Sequence, residues 1–149
     1  MNIVVLSTGR APTAPAVAGV RRQFAGLPAA RLSLVTWLTP SEPLDRIADM
    51  VVVLGPSPSA ATGPIVRSRV VRALRRLVKG GVSRQFWTQL RRRDDAVRVV
   101  AEARAVIALD TGAARAGWHL ARRHPSAVVT IGVPAAVRLL ESDPAEAFS

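Results

Sequence analysis

The chain has 149 residues, enough for one domain that buries about two thirds of the surface its unfolded form exposes. Its 21 basic side chains against 10 acidic ones give a formal charge of +11, and the absence of cysteine excludes disulfides, thiolate metal sites and cysteine nucleophiles. Aromatic stacking sites are scarce, with three Trp, three Phe and no Tyr. No run approaches the length of a membrane span, and Ile3 to Leu6 is too short for the apolar core of a signal peptide. The expectation is a cytoplasmic protein, peripheral at the inner membrane face if it meets a membrane at all.

In chain order, five short apolar, β-branched runs read as strands: Ile3 to Leu6, Leu32 to Leu38, Met50 to Leu54, Ala105 to Leu109 and Ala127 to Ile131. Such near-continuous hydrophobicity suits parallel strands covered on both faces. Between them lie segments of helical character: Pro15 to Phe24, a short Pro43 to Ala48, two or three helices from Pro64 to Arg104, Ala113 to Arg123, and Pro134 to Leu140. Within Pro64 to Lys79, Val66, Val70, Leu74, Leu77 and Val78 form one apolar stripe; Gly80-Gly81 is expected to stop that helix. Phe86 and Leu90 sit four apart in the next piece, and Asp94 or Asp95 is placed to cap a third. The alternation predicts one α/β domain over 1–149, a three-layer sandwich on a five-stranded parallel sheet. A basic helical insert occupies about 64–93, and the acid- and Pro-containing tail 141–149 is expected to fray.

Open parallel sheets bind ligands outside the carboxyl ends of their strands, where the strand order reverses. The residues predicted there are Ser7, Thr8, Gly9, Arg10 and Thr13 after the first strand, Gly55 and Ser57 after the third, and Asp110, Thr111 and Gly112 after the fourth. Hydroxyls, glycines and helix N-termini together suit a phosphate or a polar sugar. Neither the Gly-x-Gly-x-x-Gly dinucleotide fingerprint nor a P-loop is present. Asp110 has two readings, as the N-cap of the following helix or as a ligand contact. His119 and His124 have no acid at helical spacing, so no metal site is expected, and Ser7 lies on no nucleophile elbow. No cofactor is expected, and no catalytic residue is assigned.

The charge is concentrated. Arg67, Arg69, Arg72, Arg75, Arg76, Lys79, Arg84, Arg91, Arg92 and Arg93 follow one another without a single Asp or Glu between them. Such a field attracts phosphate groups, anionic lipid or nucleic acid. On anionic lipid, Val82, Phe86 and Trp87 would serve as interfacial anchors. On nucleic acid, only Phe86 and Trp87 would offer stacking. A solvated helical face needs no partner.

The order of pieces resembles the N-terminal, Rossmann-like, acceptor-side half of bacterial GT-B glycosyltransferases. The resemblance is carried by Met1-Asn2-Ile3-Val4-Val5-Leu6, by the Arg-rich helices after the third strand, by the run from Asp94 through Val106-Ile107-Ala108-Leu109-Asp110, and by Ala116 to Pro125. It implies an acceptor-binding domain that touches the membrane through basic helices, with the nucleotide-sugar donor held by a second domain. The expectation is therefore a non-catalytic binding or accessory module, or one subunit of a split transferase, docked on an anionic membrane surface or on a partner protein carrying the donor site. Two alternatives stand beside it: a basic nucleic-acid-binding protein, and a small flavodoxin-like nucleotide or flavin binder, for which only Trp37, Trp87 and Trp118 offer an indole. Homo-oligomerisation through unpaired strand edges stays open.

Overall fold

The computed structural model describes residues 1–9, 12–27, 29–55 and 79–142. Five strands, β1 (Asn2–Ser7), β2 (Arg31–Thr36), β3 (Met50–Val53), β4 (Ala105–Ala108) and β5 (Val128–Ile131), form one sheet. Its order is β3-β2-β1-β4-β5, with every pairing parallel. Among the described residues five helices accompany it: α1 (Ala14–Gln23), α2 (Lys79–Arg92), α3 (Asp94–Ala101), α4 (Thr111–Arg123) and α5 (Val133–Glu141). The fold is a Rossmann-like α/β domain, as the strand pattern predicts.

β1 lies at the centre, Leu6 pairing with Val35 of β2 on one side and Ala108 of β4 on the other. Its run Ile3 to Ser7 is buried throughout because both faces are covered. The period of two divides that run between two cores. Val4 and Leu6 pack with Val35, Val106, Phe86, Leu90, Val100 and Leu120, beneath α2, α3 and α4. Ile3 and Val5 pack with Leu34, Ile107, Val17, Phe24 and Ala136, beneath α1 and α5. The result is helix, sheet, helix.

Local chemistry sets the element ends. Pro15 occupies the first turn of α1, where its missing N–H costs nothing. Asp110 is the N-cap of α4, its carboxylate accepting from the Ala113 N–H at 2.9 Å. Gly132 precedes α5 with φ +83°, a conformation that L side chains rarely adopt.

Three local expectations are corrected. Pro43 to Ala48 forms no helix but a single turn, in which the Ile47 and Ala48 N–H groups both donate to the Leu44 carbonyl at 2.8 Å. A segment this short cannot repay helix nucleation, yet Leu44 and Ala48 still reach the core. Gly80 and Gly81, expected as a helix stop, lie in the first described turn of α2. Arg93 rather than an aspartate occupies the N-cap of α3, with Asp94 and Asp95 in the first turn, where carboxylates favour the helix dipole. The helix expected over Pro64 to Lys79 lies outside the described residues apart from Lys79, as does the tail from 143.

Candidate functional site

The strand order reverses between β1 and β4, and there the carboxyl ends of both strands meet the N-termini of α1 and α4. Ser7, Thr8, Gly9, Asp110 and Gly112 come together at this point, with Thr111 opening α4 beside Asp110. Asp110 dominates the arrangement. Its Oδ1 accepts from the Thr8 hydroxyl at 2.5 Å and the Ala113 N–H at 2.9 Å. Its Oδ2 accepts from the Thr8 N–H at 2.7 Å, the Gly9 N–H at 3.0 Å and the Ser7 hydroxyl at 3.3 Å.

Five donors exhaust the lone pairs of one carboxylate. Partial burial alone would raise the Asp110 pKa, but the hydrogen bonds from Thr8, Ala113 and Gly9 outweigh it and hold the group below the usual aspartate value. The carboxylate is ionised at neutral pH and fully engaged, so it acts as a latch rather than a proton acceptor. Gly112 completes the latch, since a Cβ there would collide with the Thr8 hydroxyl.

Beside the latch opens a cavity of about 380 Å³. Val5, Val17, Val20 and Leu34 form its apolar wall, with Ser7, Gly9, Thr13 and Asp110 at its polar side. The Thr8 and Gly9 N–H groups are spent on Asp110 and are not free for an anion. The lining of this cavity is mainly apolar, unlike the hydroxyl- and glycine-rich setting expected from the sequence for a phosphate or a polar sugar. Gly55 stands apart from this cavity, against the Trp37 carbonyl, where a Cβ would clash. Arg10 and Ser57 lie outside the described residues.

The second candidate is the basic face. Arg67, Arg69, Arg72, Arg75 and Arg76 lie outside the described residues, and of Lys79 only the backbone position at the start of α2 is described. From there α2 runs alongside α4. The Ser83 hydroxyl donates to the Gly112 carbonyl at 2.7 Å near the start of both helices, and Trp87 stacks on His119 at 4.7 Å further along. The guanidinium carbons of Arg91 and Arg123 stand 5.7 and 4.8 Å from the centroid of the Trp87 ring. Neither helix contains an acidic residue.

Two aromatics assigned to this face are buried, and one arginine of it is paired. Phe86 is 0% exposed and Trp87 8%, both in the core beneath α2 and α4, because the helix must bury the stripe containing Phe86 and Leu90 to cover Val4 and Leu6. Neither serves as a membrane anchor or a stacking platform for a base. Arg93 is engaged by Asp95, whose carboxylate accepts from its guanidinium at 2.6 and 3.0 Å. Arg84, Arg91 and Arg92 are exposed as expected.

The fold adds residues that the sequence reading did not assign to the face: Arg115, Trp118, His119, Arg122 and Arg123 of α4. Trp118 is 55% exposed, with the Arg122 guanidinium 4.9 Å from its ring centroid. Desolvation first, then the charges of Arg115, Arg123, Arg122 and Arg91, lower the pKa of His119 and keep it neutral at pH 7. Among the described residues, the ion pairs are Arg21 with Asp49 and Arg93 with Asp95, so neither involves an arginine of α4 or Arg91 or Arg92. The acid-free composition of α4 is a signal visible in the sequence; its adjacency to α2 is not.

No family model, no curated protein and no solved structure matches this chain.

Proposed function

We propose that this chain is a binding module that docks on an anionic membrane surface through the basic face of α2 and α4. It works as a non-catalytic accessory domain, or as the acceptor-side half of a split transferase of the kind the GT-B resemblance implies, with the donor site on another chain. The observation that carries the reading is the convergence of Arg91, Arg92, Arg122 and Arg123 at the ends of two adjacent helices that contain no acid. Closely spaced cations of this kind are stabilised by phosphate oxygens. An ionised, saturated Asp110 supports a binding role over proton-transfer catalysis at the crevice.

Single-strand recognition draws on stacking aromatics, and the burial of Phe86 and Trp87 removes the two that the sequence offered for it, as it also removes them as membrane anchors, leaving Trp118 as the exposed aromatic of this face among the described residues. Co-sedimentation with phosphatidylcholine vesicles, with and without phosphatidylglycerol, tests the proposal. Binding that requires phosphatidylglycerol and survives excess duplex and single-stranded nucleic acid supports it. Failure to sediment with anionic vesicles, or tighter salt-sensitive binding to nucleic acid, overturns it.

A further inference from the structure

The arginines at the ends of α2 and α4 surround a concavity as well as a face. A groove of about 360 Å³ runs between α2, α3 and α4. Its floor is apolar: Trp87, Leu90, Val100 and Leu120 are buried there, and Val97, 42% exposed, forms an apolar lip on α3. Its rim is basic, built from Arg91 and Arg92 on α2 and Arg123 on α4.

Cations in the last turn of a helix complement its dipole, which accounts for arginines at these positions singly. It does not account for an apolar floor between them. Nor does it explain why Arg91 and Arg123, from separate helices, are both held beside the ring of Trp87. That cation–π contact pre-orients both guanidinium groups with no acidic partner among the described residues, which lowers the ordering cost of binding an anion. The groove is also remote from the Asp110 latch. Arg123 ends the helix that Asp110 caps, and thirteen residues at 1.5 Å rise separate the two by about 20 Å.

We propose that this groove binds one phosphate-headed amphiphile, the phosphate between Arg91, Arg92 and Arg123 and the first part of the alkyl chain along Val97 and the floor. A volume near the lower end of the range for small-molecule sites accepts a head group with a short stretch of chain. The remainder of the chain would stay in the bilayer. The inference rests on the membrane-docking reading and gives it a lipid-specific contact, distinct from attraction by the arginine face as a whole.

The test is calorimetric titration of the full chain with dodecyl phosphate below its micelle-forming concentration, alongside inorganic phosphate and dodecyl maltoside. Tryptophan fluorescence provides a second readout, since Trp87 lines the groove. Saturable one-to-one binding of dodecyl phosphate is expected. Inorganic phosphate should bind roughly tenfold more weakly or worse, as should dodecyl maltoside, each lacking half of the recognition. The double variant R91S/R123S should weaken dodecyl phosphate binding by roughly tenfold or more. V97E, at an exposed position that tolerates change, should weaken it similarly by setting a carboxylate at the lip.

Equal affinity for inorganic phosphate or for the maltoside overturns the proposal, as does unchanged binding in both variants with native circular dichroism. Vesicle sedimentation separates the two readings. Anionic vesicles bound with no saturable dodecyl phosphate site would leave membrane docking standing and remove the groove. Saturable dodecyl phosphate binding without vesicle sedimentation would keep the groove and remove membrane docking.

Discussion

The carboxylate of Asp110 and residue Thr8 are joined twice, through the Thr8 N–H at 2.7 Å and its hydroxyl at 2.5 Å, across 102 residues of sequence. This pair ties the end of the central strand to the start of α4 at the point where the sheet reverses. Asp110→Ala should destabilise the domain by about 2 kcal/mol, a figure kept modest because the carboxylate is only half buried and partly screened. The pH dependence has a definite sign. The folded pKa lies below the unfolded value of about 3.9, so the contribution is fully present above about pH 4 and is lost as pH falls through the folded pKa. Urea unfolding of wild type and Asp110→Ala at neutral and strongly acid pH should show the gap between them shrinking in acid.

The aromatic residues of the basic region divide sharply. Phe86→Ala leaves a cavity beneath α2 and should cost about 3–5 kcal/mol, whereas Trp118→Ala, on the exposed side of α4, should change stability by no more than about 0.5 kcal/mol. Thermal unfolding of both variants checks this. Equal tolerance of the two would contradict the burial of Phe86.

Arginines in the block are not equivalent. Arg93 is committed to an exposed pair with Asp95, so Arg93→Ser should cost less than about 1 kcal/mol of stability. It should also weaken anionic-vesicle binding less than Arg91→Ser or Arg123→Ser does. A uniform loss across the three variants would indicate a diffuse charge effect.

His119 should report on both proton and anion. Its folded pKa lies below the unfolded value of about 6.5, chiefly through desolvation and then through Arg115, Arg123, Arg122 and Arg91. As pH falls below about 6.5 the unfolded chain takes up a proton that the folded chain resists, so stability declines until the folded pKa is passed. His119→Gln should abolish that part of the acid-side decline. In the wild type, dodecyl phosphate near Arg91 and Arg123 should offset their charge and move the His119 titration upward, as followed by imidazole proton shifts in NMR.

Gly55 and Gly112 both permit close approaches, but of different kinds. A Cβ at Gly55 meets the backbone carbonyl of Trp37, which cannot turn aside, while one at Gly112 meets the Thr8 side chain. Gly55→Ala should therefore cost about 1–3 kcal/mol in chemical denaturation. Gly112→Ala should lose less overall but should selectively slacken the Asp110 latch, raising hydrogen exchange at the Thr8 and Gly9 amides.

By itself the sequence determined the layers of this protein. Runs such as Ile3 to Leu6 and Ala105 to Ala108 are apolar at every position, and only burial on both faces satisfies that pattern, so a parallel sheet between helices follows from local information. The N-cap role of Asp110 was likewise legible, because a carboxylate before Thr111 and Gly112 reaches a backbone N–H three residues on. Tertiary structure alone decided what that carboxylate does besides. The donors from Ser7, Thr8 and Gly9 come from the far end of the chain, and they saturate the carboxylate as a latch. The same holds for the basic face. Phe86 and Leu90 carried the helical spacing of a core stripe, yet which side of α2 meets the sheet depends on Val4 and Leu6 beneath it. That choice buries Trp87, seats it on His119 and brings Arg123 beside Arg91, because packing joins side chains by distance in space rather than by position in the chain.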